Sequence, residues 1–232
     1  GRFPPRQIVW WINAQKDEGR RPKHIQVPGG DFFTMSMLRV YEEYEIRCQR
    51  AGLVDFAEIL LRAHELWLEH PPLLHHYQQR FGQILVDEFQ DTNTIQYAFI
   101  RVLAGDSGQV FVVGDDDQAI YGWRGAKVEN VQRFLRDYPG VQTFKLEQNY
   151  RSTGHILAAA NAVIAHNPQR LGKQLWTADG EGDPVDLFTA YNEIDEARYV
   201  VERIRAYLDD GGSASDCALL YRSNAQSRAL EE

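Results

Sequence analysis

At Gly82 the hydrophobic pattern of the chain changes period, and that change limits the folds open to it. Beyond it, short apolar runs at 84–86, 110–113, 141–146, 185–188 and 217–221 alternate with longer amphipathic stretches near 93–103, 126–137, 153–165 and 193–208. Short apolar runs separated by a helix's length of amphipathic sequence are what parallel strands with crossover helices require. The fold class expected is therefore α/β with a mainly parallel sheet. Before Gly82 the period is helical: Ile8, Val9, Trp11 and Ile12 within 6–17, then Met37, Val40, Tyr41, Tyr44 and Cys48 within 33–50. Asp55 followed by Glu58 has the spacing of a capping box, opening a helix striped by Phe56, Ile59, Leu60, Ala63, Leu66 and Trp67 that Pro71-Pro72 is expected to stop. A solvated loop is expected at 177–184 and a hinge near Gln148.

Composition narrows the class further. With 44% hydrophobic residues the chain can bury a core, and no run approaches the roughly 20 apolar residues that span a bilayer. No membrane partner and a cytoplasmic location are expected. Cys48 and Cys217 lie far apart without a CxxC or a neighbouring histidine pair, so two reduced thiols are expected and no zinc. The net charge of -8 is unevenly spread. Residues 1–30 hold six basic against two acidic residues, whereas 179–210 hold ten acidic against three basic, so a polyanion should meet the first region.

Two strings carry recognisable chemistry. In Ile84-Leu85-Val86-Asp87-Glu88-Phe89-Gln90-Asp91-Thr92-Asn93 an apolar strand ends in adjacent carboxylates. At the carboxyl edge of a parallel sheet an Asp can hold hydrated Mg²⁺ beside phosphates, and the adjoining Glu can orient and deprotonate an attacking water. An ordinary loop or helix cap would carry the same pair. In the second string, Val112-Val113-Gly114-Asp115-Asp116-Asp117-Gln118-Ala119-Ile120-Tyr121-Gly122-Trp123-Arg124-Gly125-Ala126, Tyr121 and Trp123 flank a glycine, so a short turn can present two aromatic faces to bases rather than to a core. The three Asp residues also admit a metal-dependent nuclease or phosphatase reading, but further spaced ligands are missing, and they are expected, like His75 and His76, at the surface.

Together with Leu146-Glu147-Gln148-Asn149-Tyr150-Arg151-Ser152, Tyr221-Arg222-Ser223-Asn224 and Gly52-Leu53-Val54-Asp55-Phe56-Ala57, these strings resemble, in order and spacing, motifs of the superfamily-one DNA helicases of the UvrD, Rep and PcrA group. The resemblance covers essentially the whole chain. It implies ATP and Mg²⁺ as cofactors, Asp87 as metal-binding residue, Glu88 as base, Gln118 as γ-phosphate sensor, Arg151 as arginine finger, Tyr150 as adenine-stacking residue, and Tyr121 and Trp123 as DNA contacts. It further implies 3′ to 5′ movement on single-stranded DNA and unwinding of duplex junctions, a role in DNA repair, and two lobes that close and open with the nucleotide cycle. Repair-protein partners and self-association are compatible with it.

The architecture it implies is a helical subdomain 1B at 1–81, the carboxyl part of a first RecA-like lobe at 82–147 and the start of a second at 148–232, both incomplete and with exposed sheet edges. The phosphate loop G-x-x-x-x-G-K-[ST] is not found; Gly172-Lys173 has Asn167 where the first Gly belongs and Gln174 where Ser or Thr belongs. The family carries that loop ahead of the helical subdomain, so it is expected upstream of Gly1, with later motifs beyond Glu232. A chain without it is expected not to turn over ATP alone. The alternative is a non-catalytic module that binds single strands or a repair partner.

Overall fold

The first helix, α1 (Pro5–Asp17), starts at a proline whose fixed φ suits the first helical turn. In α2 (Phe32–Ala51) the Asp31 carboxylate caps the Thr34 N–H, and Gly52 closes the helix at φ 66°, where a Cβ would be strained. Asp55 accepts from the Glu58 N–H at 2.7 Å to open α3 (Phe56–Glu69). The expected capping box is only half made, because the Glu58 carboxylate turns instead to Lys16, Arg21 and Arg62. Pro71-Pro72 does end α3 but also begins α4 (Pro71–Arg80), a helix the sequence reading did not foresee. Proline is tolerated at N1, so a pair that breaks one helix can begin the next. The computed structural model describes residues 3–27, 29, 31–106, 108–168 and 170–231.

Ile12, Met37, Tyr41 and Leu61 form the apolar centre of the helical part. Beneath it lies an ionic network. Lys16, 2% exposed, reaches Asp55 at 2.7 Å and Glu58 at 2.8 Å, while Arg21 pairs with Glu45, Glu58 and Glu65. Burial alone would raise the carboxyls of Asp55 and Glu58, but hydrogen bonds, those from Lys16 foremost, outweigh it and hold both below their ordinary values. Two of the six basic residues expected to face a polyanion are thus internal counter-ions.

After Gly82 come β1 (Gln83–Val86), α5 (Thr94–Ala104), β2 (Gln109–Val112) and α6 (Glu129–Asp137). The strands pair in parallel, Gln83 opposite Gln109 through Val86 opposite Val112. Ile84, Val86, Val110 and Val112 turn toward the helices, and Val86, Val110 and Val112 pack with Ile100 and Val131 around buried Phe89, Tyr97 and Phe134. Leu85 and Phe111, paired on the opposite face, stay exposed. A Trp67–Phe99 stack at 4.1 Å joins α3 to α5.

The sheet is smaller than expected: 141–146, 185–188 and 217–221 form no strands. An apolar run becomes a strand only when a neighbour pairs with its backbone, and these runs have no ladder partner among the described residues. Most of their apolar side chains stay in solvent, Leu187 at 94% and Leu220 at 97% exposure, although Val141 packs against the cluster of Phe89, Tyr97 and Phe134, and Phe188 stacks on Tyr199 at 3.9 Å.

Contacts divide the chain into two units, one of 1–146 with 164–173 and one of 147–163 with 174–232. The second holds α7 (Gly154–Ile164) up to Val163, α8 (Glu193–Asp209) and α9 (Ser227–Glu231). A bridge between Gln148 and Trp176 and the Asn161 amide, bonded to both the N–H and the carbonyl of Leu175, fix its first turns. In α8, Asn192 caps a first turn rich in acids, which the helix dipole favours.

Candidate functional site

Beyond β1 and β2 the ladder continues: Val113 N–H donates to the Val86 carbonyl at 2.8 Å and Phe89 N–H to that of Val113 at 3.0 Å. The loops after the two strands are therefore held side by side at the carboxyl edge of the sheet, where α/β proteins bind ligands. The first carries Asp87 and Glu88, both exposed. Glu88 sits at φ 49°, ψ 44°, and no other non-glycine among the described residues has a positive φ. Such a conformation costs about 1–3 kcal/mol and persists only where neighbours enforce it. Here the enforcing groups are the Asp87 carboxylate, which accepts the Glu88 N–H at 2.9 Å, the buried ring of Phe89, and the side chain of Gln90.

Gln90, 1% exposed, has no role that the sequence alone reveals. Its Nε2 donates to Glu88 Oε2 at 2.7 Å and its Oε1 accepts the Asp115 N–H at 2.9 Å. Gly114 makes this close approach feasible, since a Cβ there would stand 2.8 Å from Gln90 Oε1. Behind it, Asn130 of α6 donates to the carbonyls of Thr92 and Asn93, anchoring the far end of the acidic loop.

The second loop holds Gln118, exposed, whose Nε2 donates to Asp115 Oδ2 at 2.7 Å. Asp115, Asp116 and Asp117 are half-buried rather than surface residues, because cations and donors face them. Arg170 grips Asp117 through Nε at 2.8 Å and a terminal nitrogen at 2.5 Å, Lys173 pairs with Asp115, and Leu171 N–H donates to Asp116 at 2.6 Å. Burial works against ionisation of Asp115, but Lys173 and Gln118 pull its carboxyl below the ordinary range. Spoken for in this way, the three carboxylates do not form a metal cluster. The sequence reading weighed Gly172-Lys173 only as a failed phosphate loop; charge complementarity between three Asp residues and the Arg170–Lys173 stretch was the signal it passed over.

Four residues past Gln118 a tight turn spans Gly122–Arg124, closed by Gly125 at φ 90°. Tyr121 and Trp123 stand 6.4 Å apart between ring centroids, and Trp123 is 70% exposed. The Arg124 guanidinium lies over both rings, at 4.9 and 4.6 Å. Tyr150 and Arg151 belong to the second unit and are exposed; the Tyr150 hydroxyl donates to Gln148, and Asn149 Oδ1 accepts the N–H groups of Arg151 and Ser152.

A cation fits beside Asp87. Its side chain is exposed at the sheet edge and bound only to the neighbouring N–H, while no group of three metal-binding side chains occurs among the described residues. One carboxylate completed by water and phosphate oxygens is the donor set Mg²⁺ prefers. Among the described residues, no helix is long and apolar enough to cross a membrane.

Known proteins are similar to this chain over nearly all of its length. The model of the UvrD/REP helicase N-terminal domain matches residues 2–139, and that of the UvrD-like helicase C-terminal domain matches 144–232. DNA helicase II of Escherichia coli (strain K12) is 64% identical over 230 residues, 99% of this chain and 32% of the relative. DNA helicase II of Haemophilus influenzae is 55% identical over 99% of this chain and 31% of its own, and ATP-dependent DNA helicase PcrA of Staphylococcus epidermidis is 44% identical over 100% and 32%. The chain spans about a third of the length of these relatives. On the match of both domains, the chain belongs to the UvrD/REP helicase family.

Proposed function

We propose that this chain supplies part of the ATP-hydrolysing and DNA-gripping centre of a longer ATP-dependent DNA helicase that moves 3′ to 5′ on single-stranded DNA and opens duplex junctions. The observation that carries the reading is the pair of exposed carboxylates at the carboxyl end of β1, hydrogen-bonded beside the loop that bears Gln118 and, three residues on, the Tyr121–Trp123 turn.

With nucleotide bound, Mg²⁺ would supply charge neutralisation at the phosphates, and Asp87, whose carboxylate keeps one oxygen beyond the one accepting the Glu88 N–H, would hold it. Glu88 accepts the proton of the attacking water at a carboxylate oxygen, and the Gln118 amide donates to the γ-phosphate. Arg151 balances charge on the transferring group and Tyr150 stacks on adenine, roles that rest on the Leu146–Ser152 string. Tyr121 and Trp123 stack on bases irrespective of sequence, as a motor on any strand requires. A bacterial cytoplasmic protein of DNA repair, open to repair partners and self-association, is the setting this reading suits.

The test is ATP turnover by the full-length protein with and without single-stranded DNA, alongside Glu88→Gln. Turnover stimulated by DNA and lost in Glu88→Gln, with nucleotide binding retained, is the result expected. Retained turnover removes Glu88 from the role of base. DNA binding without any turnover in the wild type would favour a non-catalytic binding module instead, and unwinding of 5′-tailed substrates alone would overturn the polarity.

A further inference from the structure

Gln90 is an odd group to bury. A primary amide taken out of water loses free energy unless its donor and acceptor are both used, and here each end has one partner of good geometry. Those partners lie on different loops. The donor end meets Glu88 Oε2 at 2.7 Å, and the acceptor end meets the Asp115 N–H at 2.9 Å. Asp115 in turn accepts from Gln118 Nε2 at 2.7 Å, and the Gln118 carbonyl accepts the Ile120 N–H at 2.8 Å immediately before the aromatic turn. A path of hydrogen bonds, linked through the covalent frames of Asp115 and Gln118, thus runs from the Glu88 carboxylate through the Gln90 amide to the approach to Tyr121.

The chemistry of the amide matters. A Lys or Arg at this position would orient Glu88 but neutralise it, whereas a neutral donor engages Oε2 and leaves the negative charge and Oε1 for a proton. Gln90 also bears directly on the residue whose backbone is strained: a carboxylate at φ 49° has to be held from its side chain as well as from its peptide. Gly114 removes the one Cβ that would displace the amide, at 2.8 Å from Oε1.

We infer that Gln90 is a positioning residue that sets the Glu88 carboxylate according to the position of the loop bearing Gln118 and the Tyr121–Trp123 turn, so that a strand held at the turn speeds turnover through the placement of the base. The inference rests on Glu88 acting as that base. A path of contacts is not yet coupling, and two variants of the full-length protein measure whether it is. Gln90→Met keeps the length of the side chain and removes both hydrogen bonds. Gly114→Ala keeps the Gln90 amide but drives a methyl group against its Oε1 at 2.8 Å, with the backbone nitrogens of Phe89 and Gln90 next at 3.3 and 3.4 Å.

ATP turnover is measured at saturating single-stranded DNA, with KM for ATP and Kd for an oligothymidylate. Loss of alignment at a reacting group costs up to about a hundredfold, so Gln90→Met should lower kcat about ten- to a hundredfold and Gly114→Ala should move it in the same direction by less. KM and Kd should stay within about twofold in both, since neither variant touches the phosphate-binding or stacking groups. Combined with Trp123→Ala, Gln90→Met should cost less than the product of the single effects, because both act on one path. The inference is overturned if kcat stays within about twofold in both variants, or if KM and Kd deteriorate along with it, as loss of packing alone would cause. Should Gln90→Met fail to fold, Gly114→Ala decides on the same criteria. A wild-type protein without turnover overturns the role of Glu88 and this inference together; an active wild type with unaltered variants overturns this inference alone.

Discussion

Replacing Lys16 with Met should open the helical part of the first unit far more than an ordinary loss of one charge pair. The Lys16 ammonium is 2% exposed and touches Asp55 at 2.7 Å and Glu58 at 2.8 Å, and Glu58 itself is 4% exposed. Breaking a buried pair by removing one partner costs about 3–5 kcal/mol, most of it from the charge left behind. The lower end of that range applies here, because the survivors keep other partners. Glu58 retains Arg21, although that cation is shared with Glu45 and Glu65, and Arg62, which is half exposed and so contributes little. Asp55 retains the Tyr44 hydroxyl at 2.8 Å and the Glu58 N–H at 2.7 Å. Met preserves the aliphatic stem, so cavity formation adds little. A loss of about 3 kcal/mol corresponds to roughly a hundredfold faster amide exchange in α1 and α3, given a tenfold change per 1.4 kcal/mol. Adding Glu58→Gln to Lys16→Met should recover at least about 1 kcal/mol by removing the stranded charge. Exchange within about threefold of wild type in the single variant, or a further loss in the double, would refute the account of the network as a set of desolvated, mutually dependent charges.

Two further outcomes are expected. Trp123→Ala should weaken single-strand affinity by about 1–3 kcal/mol, the worth of one base stack, with nucleotide binding intact; unchanged affinity in a fluorescence titration would return the ring to a structural role. Acid should loosen α1 to α3: Asp55 and Glu58 lie below their unfolded values of 3.8 and 4.5, so the stability they contribute is present above those values and is lost as pH falls through the folded ones. Asp17 opposes this, since burial first and then Glu18 and Asp55 raise its carboxyl, so its contribution is lost as pH rises instead. Urea midpoints followed by tryptophan fluorescence should therefore fall from about pH 5 to about pH 3 in the wild type and fall less in Glu58→Gln; an equal drop in both would remove Glu58 as a cause.

What the sequence disclosed and what it hid divide along a physical line. Helices α1, α2, α3, α5, α6, α7 and α8 were legible because their stripes and breaks are local: Asp55 before Glu58 states where a turn begins. The acidic end of β1 and the aromatic turn were legible for the same reason, being short strings whose chemistry lies in adjacent residues. Strand formation is not local. Residues 141–146 have the apolar character of a strand and remain unpaired, because pairing depends on a neighbour that a run cannot specify by itself. Pro71-Pro72 was ambiguous in principle, since the same ring that ends α3 is suited to start α4.

The least legible feature lies within the most legible string. Gln90 stands two residues from Glu88, yet its importance depends on an N–H 25 residues away and on the absence of a Cβ at Gly114. Arg170 likewise carries no signal in the sequence, and Lys173 only that of a failed phosphate loop, until they are set against Asp117 and Asp115. In each case a conspicuous acidic motif supplies charge at the sheet edge, and inconspicuous neutral or basic residues hold it through contacts that reach a distant part of the sequence. A motif of this kind reports which chemistry is on offer; the groups that aim it are recovered only when the loops are seen side by side. It follows that Arg170→Ala or Lys173→Ala should lower ATP turnover in a full-length protein whose motifs all remain intact; unchanged turnover in both would refute this.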